Sequence, residues 1–162
     1  MFVGRRFIVR PGDSLALLAA SAHLMSRCAL GLKRFARSMS TSGGVDRVAR
    51  ALGIKCYESS TRWEFFGNLL DAGMITLCGK ESACTGSDQV LQKGGLSAVL
   101  IWLNILAVRD ESVEAILRVH CGRHRRNFHA EHDYEGVDSG WLQGADGQPE
   151  RVAGEFTRST IW

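Results

Sequence analysis

Hydrophobic and polar positions follow two alternating periods along most of the chain. Apolar residues recur at helical spacing in the segments 13–25, 45–52, 61–71, 96–108 and 112–119. Between them lie short apolar or alternating runs: the opening segment FVGRRFIV and residues 33–39, 54–57 and 74–77. Asp13 and Thr61 fit as helix N-caps, and Gly53 fits the glycine that follows a helix end. Short strands alternating with helices predict an α/β fold, a three-layer α/β/α domain with a mixed, mostly parallel sheet.

The pattern ends after Tyr134. Five glycines and Pro149 divide a polar segment in which the large apolar residues, such as Trp141 and Trp162, are isolated. Such a segment has no helical or strand periodicity, and we predict an irregular tail over residues 139–162.

Composition narrows the class of protein. The chain has 162 residues, of which 45% are hydrophobic and 23% charged, enough apolar material for a globular core and too much for a disordered chain. The formal charge of +3 is spread along the chain, so we expect no nucleic-acid partner. The longest apolar run, residues 96–108, falls short of the roughly 20 residues that span a membrane, so we expect a soluble protein without a membrane partner.

The cysteines and histidines give weaker indications. Five cysteines without a C-x-x-C pair, and no secretory signal, predict reduced thiols and a cytoplasmic location. A group of histidines near the end of the last predicted helix has the H-x₃-H spacing of metal ligands: His120, His124, His129 and His132, with Cys121 beside them. A solvated helix end is the simpler interpretation, and we predict no metal site. The basic run Arg123 to Arg126 has no interleaved aromatic residues and is likewise interpreted as a solvated surface.

The segment Cys78 to Gly95 concentrates small and polar residues between a predicted strand and a predicted helix. Loops at the carboxyl ends of strands are where open α/β sheets bind ligands. The hydroxyl groups of Ser82, Thr85 and Ser87 suit sugar hydroxyls or phosphate oxygens. A solvated connection without a ligand is the alternative.

Several segments together resemble one known family. The pieces RFARSMSTSGGVDRVARALGIKCYE, TRWEFFGNLLDAG, LCGKESACTGSD and GGLSAVLIWLNILAVRDESVEAILRVH resemble consecutive parts of the α-phosphoglucomutases, in the α-D-phosphohexomutase superfamily. The resemblance covers residues 1–138, and the bacterial members look most similar. It implies that residues 1–30 correspond to the end of the family's second domain and residues 31–138 to its third, sugar-recognition domain.

The resemblance also implies a function. These enzymes interconvert glucose 1-phosphate and glucose 6-phosphate by means of a phosphoserine, an aspartate-rich Mg²⁺ loop and a phosphate-binding clamp. None of those three motifs occurs in the 162 residues. Phosphoryl transfer depends on positioning and charge stabilisation by such groups. We therefore expect this chain to be inactive by itself, with no catalytic residue and no cofactor of its own.

The resemblance assigns substrate contacts to Ser82 and Lys93 in the sugar-recognition loop and to Thr61 in the turn before Trp63. Three site positions are altered. Lys80 stands where the family has a carboxylate, Arg62 replaces a glycine, and Gln89 replaces a histidine. An ammonium group only donates hydrogen bonds, whereas a carboxylate accepts them from two neighbouring sugar hydroxyls. Binding of glucose phosphate is therefore expected to be weak or lost.

Two alternatives to a sugar-binding fragment stay open. The chain is a non-catalytic interaction module that binds a second copy of itself or a full-length mutase subunit, or it is the product of a degraded reading frame.

Overall fold

The computed structural model describes residues 2–3, 7–24, 31–81, 85–87 and 90–129. The chain starts with an antiparallel pair of short strands, β1 (Phe2–Val3) and β2 (Phe7–Ile8). Helix α1 (Pro11–Ala20) follows, with a single 3-10 turn after it at Ala22–Leu24. The helix begins at Pro11, not after Asp13 as predicted, because proline presets the backbone for the first helical position. Asp13 lies in the first turn.

The remaining strands and helices alternate as the sequence pattern predicts, except in one segment. The strands are β3 (Phe35–Ser38), β4 (Cys56–Ser59), β5 (Leu77–Gly79), β6 (Thr85–Ser87) and β7 (Val90–Gly94). The helices are α2 (Gly44–Leu52), α3 (Trp63–Asp71), α4 (Gly95–Arg109) and α5 (Val113–His124). Strands β6 and β7 form in the segment predicted to be a loop. Gly53 has a left-handed φ of 71° and ends α2, as predicted.

Strands β3 to β7 form one mixed sheet. Its order is β4-β3-β5-β6-β7, with β3 paired in parallel to β4 and to β5. The pairs β5–β6 and β6–β7 are antiparallel. Four of the five strands therefore run in one direction and β6 runs against them. This arrangement confirms the predicted mixed, mostly parallel sheet.

Helices cover both faces of this sheet. Four helices share a core with the face that carries Phe35 and Leu77: α1, α2, α4 and α5. Helix α3 packs on the opposite face, where Phe66 and Leu70 meet Ala36, Ile75 and Cys78. The alternation of Phe35 and Ala36 between the two cores is the period of two expected of a strand buried on both faces.

Helix α1 belongs to the larger of the two cores. Its residues Leu15, Leu17 and Leu18 are at most 2% exposed and join the same cluster as Phe35 and Leu77. The predicted boundary at residues 30/31 therefore does not coincide with a division of this core. That residues 1–30 correspond to a preceding domain stays a prediction. The predicted tail, 139–162, lies outside the described residues.

Helix α4 is uncharged from Gly95 to Val108. Among the residues that the structure describes, no helix is both long and apolar enough to cross a bilayer.

Candidate functional site

The carboxyl ends of three parallel strands form one edge of the sheet. In the strand register, Ser38 at the end of β3 lies opposite Ser59 at the end of β4, and Arg37 lies opposite Gly79 at the end of β5. The segments that follow these strands therefore emerge side by side. We refer to this side of the sheet as the carboxyl edge. It is the position at which open α/β sheets bind ligands.

The structure brings the segments of four predicted site residues to the carboxyl edge. The exposed residues Thr61 and Arg62 follow β4, and the half-buried Lys80 follows β5. Lys93 is in β7, next to Gly94, which pairs with Thr85, and Thr85 in turn pairs with Gly79. The end of β7 therefore lies at the same edge. The two other predicted residues, Ser82 and Gln89, lie outside the described residues.

The strands that carry or precede these residues are not all neighbours in the sheet. Strands β4 and β5 are two strand spacings apart, about 10 Å, and β4 and β7 are four spacings apart, about 19 Å. Helix α3, which begins two residues after Thr61, contacts β7. Helix α3 thus brings the chain that follows β4 into contact with the strand that contains Lys93.

A glycine in β6 allows α3 to begin close to the sheet. A methyl group at Gly86 would lie 2.5 Å from the Cη2 atom of Trp63 and 3.2 Å from the Cys78 Sγ. The Trp63 indole therefore lies against the bare backbone of β6, in the space that any other side chain would need. The contact fixes the first residue of α3, and with it the Thr61–Arg62 turn, relative to the hairpin of β6 and β7. The N-cap position is Arg62, without a side-chain capping bond, and not Thr61 as predicted.

Hydroxyl groups line the turn between β3 and α2. The Ser38 Oγ is 2.7 Å from the Thr41 Oγ1 and 3.1 Å from the Ser40 Oγ. Both Ser38 and Thr41 are buried, so this network satisfies polar groups that have left water. The network holds the middle segment of the carboxyl edge in place.

Arg37 stabilises the strand beside this turn. Its Nε donates to the Asp46 Oδ2 at 2.9 Å, and its Nη2 donates to the Glu58 Oε2 at 2.6 Å. Burial by itself lowers the pKa of Arg37, but the hydrogen bonds and negative charges of Asp46 and Glu58 outweigh it and raise that pKa. Arg37 is thus a charged link between β3, α2 and β4.

Two buried oxygen atoms approach the first turn of α1. A methyl group at Gly12 would lie 2.5 Å from the Ser42 Oγ and 3.0 Å from the Glu81 Oε2. Neither oxygen has a hydrogen-bond partner among the described residues. Glu81 follows Lys80 directly, and its carboxylate lies at the positive end of α1, where a negative charge is favourable. The Glu81 side chain therefore lies against α1 and does not replace the carboxylate that the resemblance expects at position 80.

The residues after α5 pack on the same region, which sequence reasoning missed. The His129 Nε2 donates to the Ser40 carbonyl at 2.8 Å, and the Arg10 guanidinium donates to the His129 carbonyl at 3.0 Å. The Arg47 side chain donates to Asn127. No periodicity marks residues 125–129, so only their position in space shows that they hold the turn between β3 and α2.

One acidic residue lies among the basic side chains of this region. Burial raises the pKa of the Asp13 carboxyl and outweighs the opposing charges of Arg126, Arg10 and Arg47. The carboxyl group is part of the first turn of α1, and the charges that act on it belong to Arg10 before that helix, Arg47 on α2 and Arg126 after α5.

The thiols are poorly suited to nucleophilic chemistry. Burial raises the pKa of Cys56 and of Cys78 to about 12, so neither forms a thiolate near neutral pH. Cys56, Cys78 and Cys121 are free thiols.

The part of the chain that the structure describes contains no group of three His, Cys, Asp or Glu side chains able to hold a metal ion. These residues therefore do not fit the magnesium that the family resemblance implies. His120 and His124 are neighbours on α5, with ring centroids 5.0 Å apart. His129 binds the Ser40 carbonyl instead, and His132 lies outside the described residues.

Comparison with known sequences identifies this fold. A family model described as phosphoglucomutase/phosphomannomutase, alpha/beta/alpha domain III, matches residues 11–123. The phosphoglucomutase of Rhizobium radiobacter is 53% identical over 139 residues, which is 86% of this chain and 26% of that protein. Human phosphoglucomutase-1 is 50% identical over 141 residues, again 86% of this chain and 25% of the human protein.

Solved structures agree with the sequence comparison. The parafusin (phosphoglucomutase) structure from Paramecium superposes on 98% of this chain with a TM-score of 0.84 and 43% identity, and the chain covers 28% of it. A phosphomannomutase from Thermus thermophilus, at 17% identity and a TM-score of 0.60, shares the fold. The chain thus spans about a quarter of the length of these relatives. With the match to domain III covering residues 11–123, this chain belongs to the phosphoglucomutase/phosphomannomutase family.

Proposed function

We propose that this chain is a sugar-recognition domain of the phosphoglucomutase type and that its carboxyl edge binds a glucose phosphate. One observation carries the proposal: the segments containing Thr61, Lys80 and Lys93 meet at one edge of the sheet in a domain III fold. The chain corresponds to about a quarter of its relatives' length. Phosphoryl transfer is therefore assigned to a complete mutase, and this chain alone does not catalyse it.

Each proposed contact follows from the chemistry of its side chain. The exposed Thr61 hydroxyl both donates to and accepts from a sugar hydroxyl, and the Ser82 hydroxyl has the same capacity. The Lys93 ammonium group attracts the phosphate as a point charge. A ligand that bound all three would lie along the carboxyl edge.

Two departures from the family pattern weaken this binding. Lys80 cannot accept the hydrogen bonds of sugar hydroxyls, and the Glu81 carboxylate lies against the first turn of α1. The Arg62 side chain is 77% exposed and adds bulk at the Thr61 turn, where the family has glycine. We therefore expect an affinity for glucose 6-phosphate in the millimolar range, about −4 kcal/mol.

The proposal includes no metal or other cofactor held by this chain. It also places the protein in the cytoplasm. The free thiols of Cys56, Cys78 and Cys121 suit a reducing compartment. A relative from maize carries the name "Phosphoglucomutase, cytoplasmic 1".

Amide NMR during a titration with glucose 6-phosphate tests the binding site. We expect shifts at Thr61 and Lys80 with glucose 6-phosphate and with glucose, and a shift at Lys93 with inorganic phosphate as well. Absence of shifts at all three residues in millimolar glucose 6-phosphate would contradict the proposal. So would conversion of glucose 1-phosphate by this chain alone in the presence of Mg²⁺.

A charge reversal with a matched control tests the role of Lys80. Lys80→Glu restores the acceptor, and we expect glucose to bind about tenfold more tightly, equivalent to roughly 1.4 kcal/mol. Lys55→Glu is the control, because Lys55 is exposed and precedes β4 at the opposite edge of the sheet. It changes the net charge equally and should leave the affinity unchanged.

A further inference from the structure

Helix α4 exposes a continuous apolar surface on the side away from the core. Leu96 is 71% exposed, Val99 42%, Leu100 53% and Leu103 55%, and Ala107 is exposed as well. At 100° per residue these five positions fall within about 100° of the helix circumference. We call them the outer face of α4.

The opposite side of α4 is already buried in the larger core of this domain. Ala98, Ile101, Trp102 and Ile105 are at most 7% exposed and pack in the larger core. A helix on the surface of a soluble domain carries charged residues on its outer side. The first charged residue of α4 is Arg109, its last residue, so the helix is apolar on both sides. Such a helix is typical of one that is covered on both sides.

We propose that the outer face of α4 is the surface on which two copies of this chain associate. A two-fold interface uses the same patch on both partners, so the patch must be complementary to itself. A row of leucines spaced by three and four residues, with no charge to repel its copy, meets that requirement in an antiparallel pairing of two α4 helices. The inference does not depend on glucose phosphate binding.

The area of the outer face of α4 determines how tightly two copies are expected to associate. From their exposed fractions, the five side chains offer about 500 Å² per copy, so complete burial of both copies' patches would remove about 1,000 Å² from water, the lower limit for a specific interface. An interface of this size fits a reversible dimer, and we expect a dissociation constant of about 10 to 100 μM.

Sedimentation velocity of the full chain from about 5 to 500 μM tests the dimer. Leu103→Glu places a carboxylate in the centre of the patch on both copies, and we expect at least a hundredfold weaker association. Val119→Glu is the matched control, because Val119 is 52% exposed on α5 and outside the patch. It should leave the dissociation constant unchanged. Circular dichroism confirms that both variants stay folded, and Leu100→Glu serves as a second variant on the same face.

Three results would overturn the proposal. The first is a wild-type chain that stays monomeric up to 500 μM, as it would if residues 130–162 covered α4. The second is a dimer that both α4 variants leave intact. The third is an equal weakening of association by Val119→Glu and by Leu103→Glu. That result would show that the added negative charge, and not the outer face of α4, determines association.

Discussion

The interior of the domain and its carboxyl edge differ in how their polar groups are hydrogen-bonded. In the interior, the Trp102 Nε1 donates to the buried Ser14 Oγ at 2.9 Å, and the Lys33 amide donates to the Thr76 Oγ1 at 3.0 Å. At the carboxyl edge, the Ser42 Oγ and the Glu81 Oε2 are buried without a partner among the described residues. The polar groups named in the interior are thus paired, whereas the carboxyl edge combines the paired hydroxyls of Ser38 and Thr41 with unpaired oxygens and altered site residues.

This difference indicates that folding and ligand recognition are separable in this chain. Unpaired buried oxygens cost free energy, and a sequence selected only for stability would not place them together. Lys80 and Arg62 lie at the surface of the edge and contribute little to the cores. Substitutions in the interior should therefore change stability, and substitutions at the edge should change affinity alone.

The largest effect is expected in the smaller core, beneath α3. Phe66 is fully buried, and Phe66→Ala should lower the free energy of unfolding by about 3–5 kcal/mol, because it leaves a cavity. Phe65 precedes it on the same helix and is 46% exposed, so Phe65→Ala should cost less than about 1 kcal/mol. Urea unfolding measures both. Equal costs would show that α3 is not packed on the sheet as described.

Two glycines, Gly86 and Gly67, differ in the space around them. Gly86→Ala forces a methyl group against the Trp63 indole and should cost about 1–3 kcal/mol by overpacking. Gly67 has open space around it on α3, so Gly67→Ala should stabilise the helix by about 0.5–1 kcal/mol. Thermal unfolding of the two variants should therefore shift in opposite directions. A Gly86→Ala variant more stable than the wild type would show that Trp63 does not pack against Gly86.

Acid should weaken the fold through α5. Burial, together with the positive charges of His124 and Arg109, lowers the pKa of His120 to about 4, and burial and Arg123 lower the pKa of His124. The unfolded chain takes up these protons near the ordinary value of 6.5. Stability present above about pH 6.5 is therefore lost as the pH falls towards 4.

His120→Gln should remove about 1 kcal/mol of the difference in unfolding free energy between pH 7.5 and pH 5. Urea midpoints at the two pH values measure it. The control is His23→Gln, since His23 is exposed and lies outside α5. An unchanged pH dependence in His120→Gln would place the acid sensitivity elsewhere.

Most of the fold follows from apolar spacing. The apolar residues that the cores bury recur at helical spacing in the helices and at strand spacing in β3 to β5. Val45, Val48 and Ala49 on α2 are an example. The hairpin of β6 and β7 did not follow, because β6 contains only threonine, glycine and serine. Thr85 and Ser87 are buried where β6 pairs with β5 and β7, which no local pattern shows.

The candidate site was predictable only where a family motif marked it. Thr61, Lys80 and Lys93 are assigned through the resemblance, and the sheet order then explains why their segments share an edge. The bond from His129 to the Ser40 carbonyl and the approach of Glu81 to Gly12 join residues 89 and 69 positions apart. Contacts of that kind depend on the tertiary fold, and sequence spacing carries no trace of them.

The paired measurement of stability and affinity in Lys80→Glu tests the separation of folding and recognition most directly. We predict a free energy of unfolding, from urea titration, within about 0.5 kcal/mol of the wild type. We also predict glucose binding that is about tenfold tighter, with Lys55→Glu unchanged in affinity. A variant that loses stability, or one whose affinity for glucose does not increase, would contradict the account.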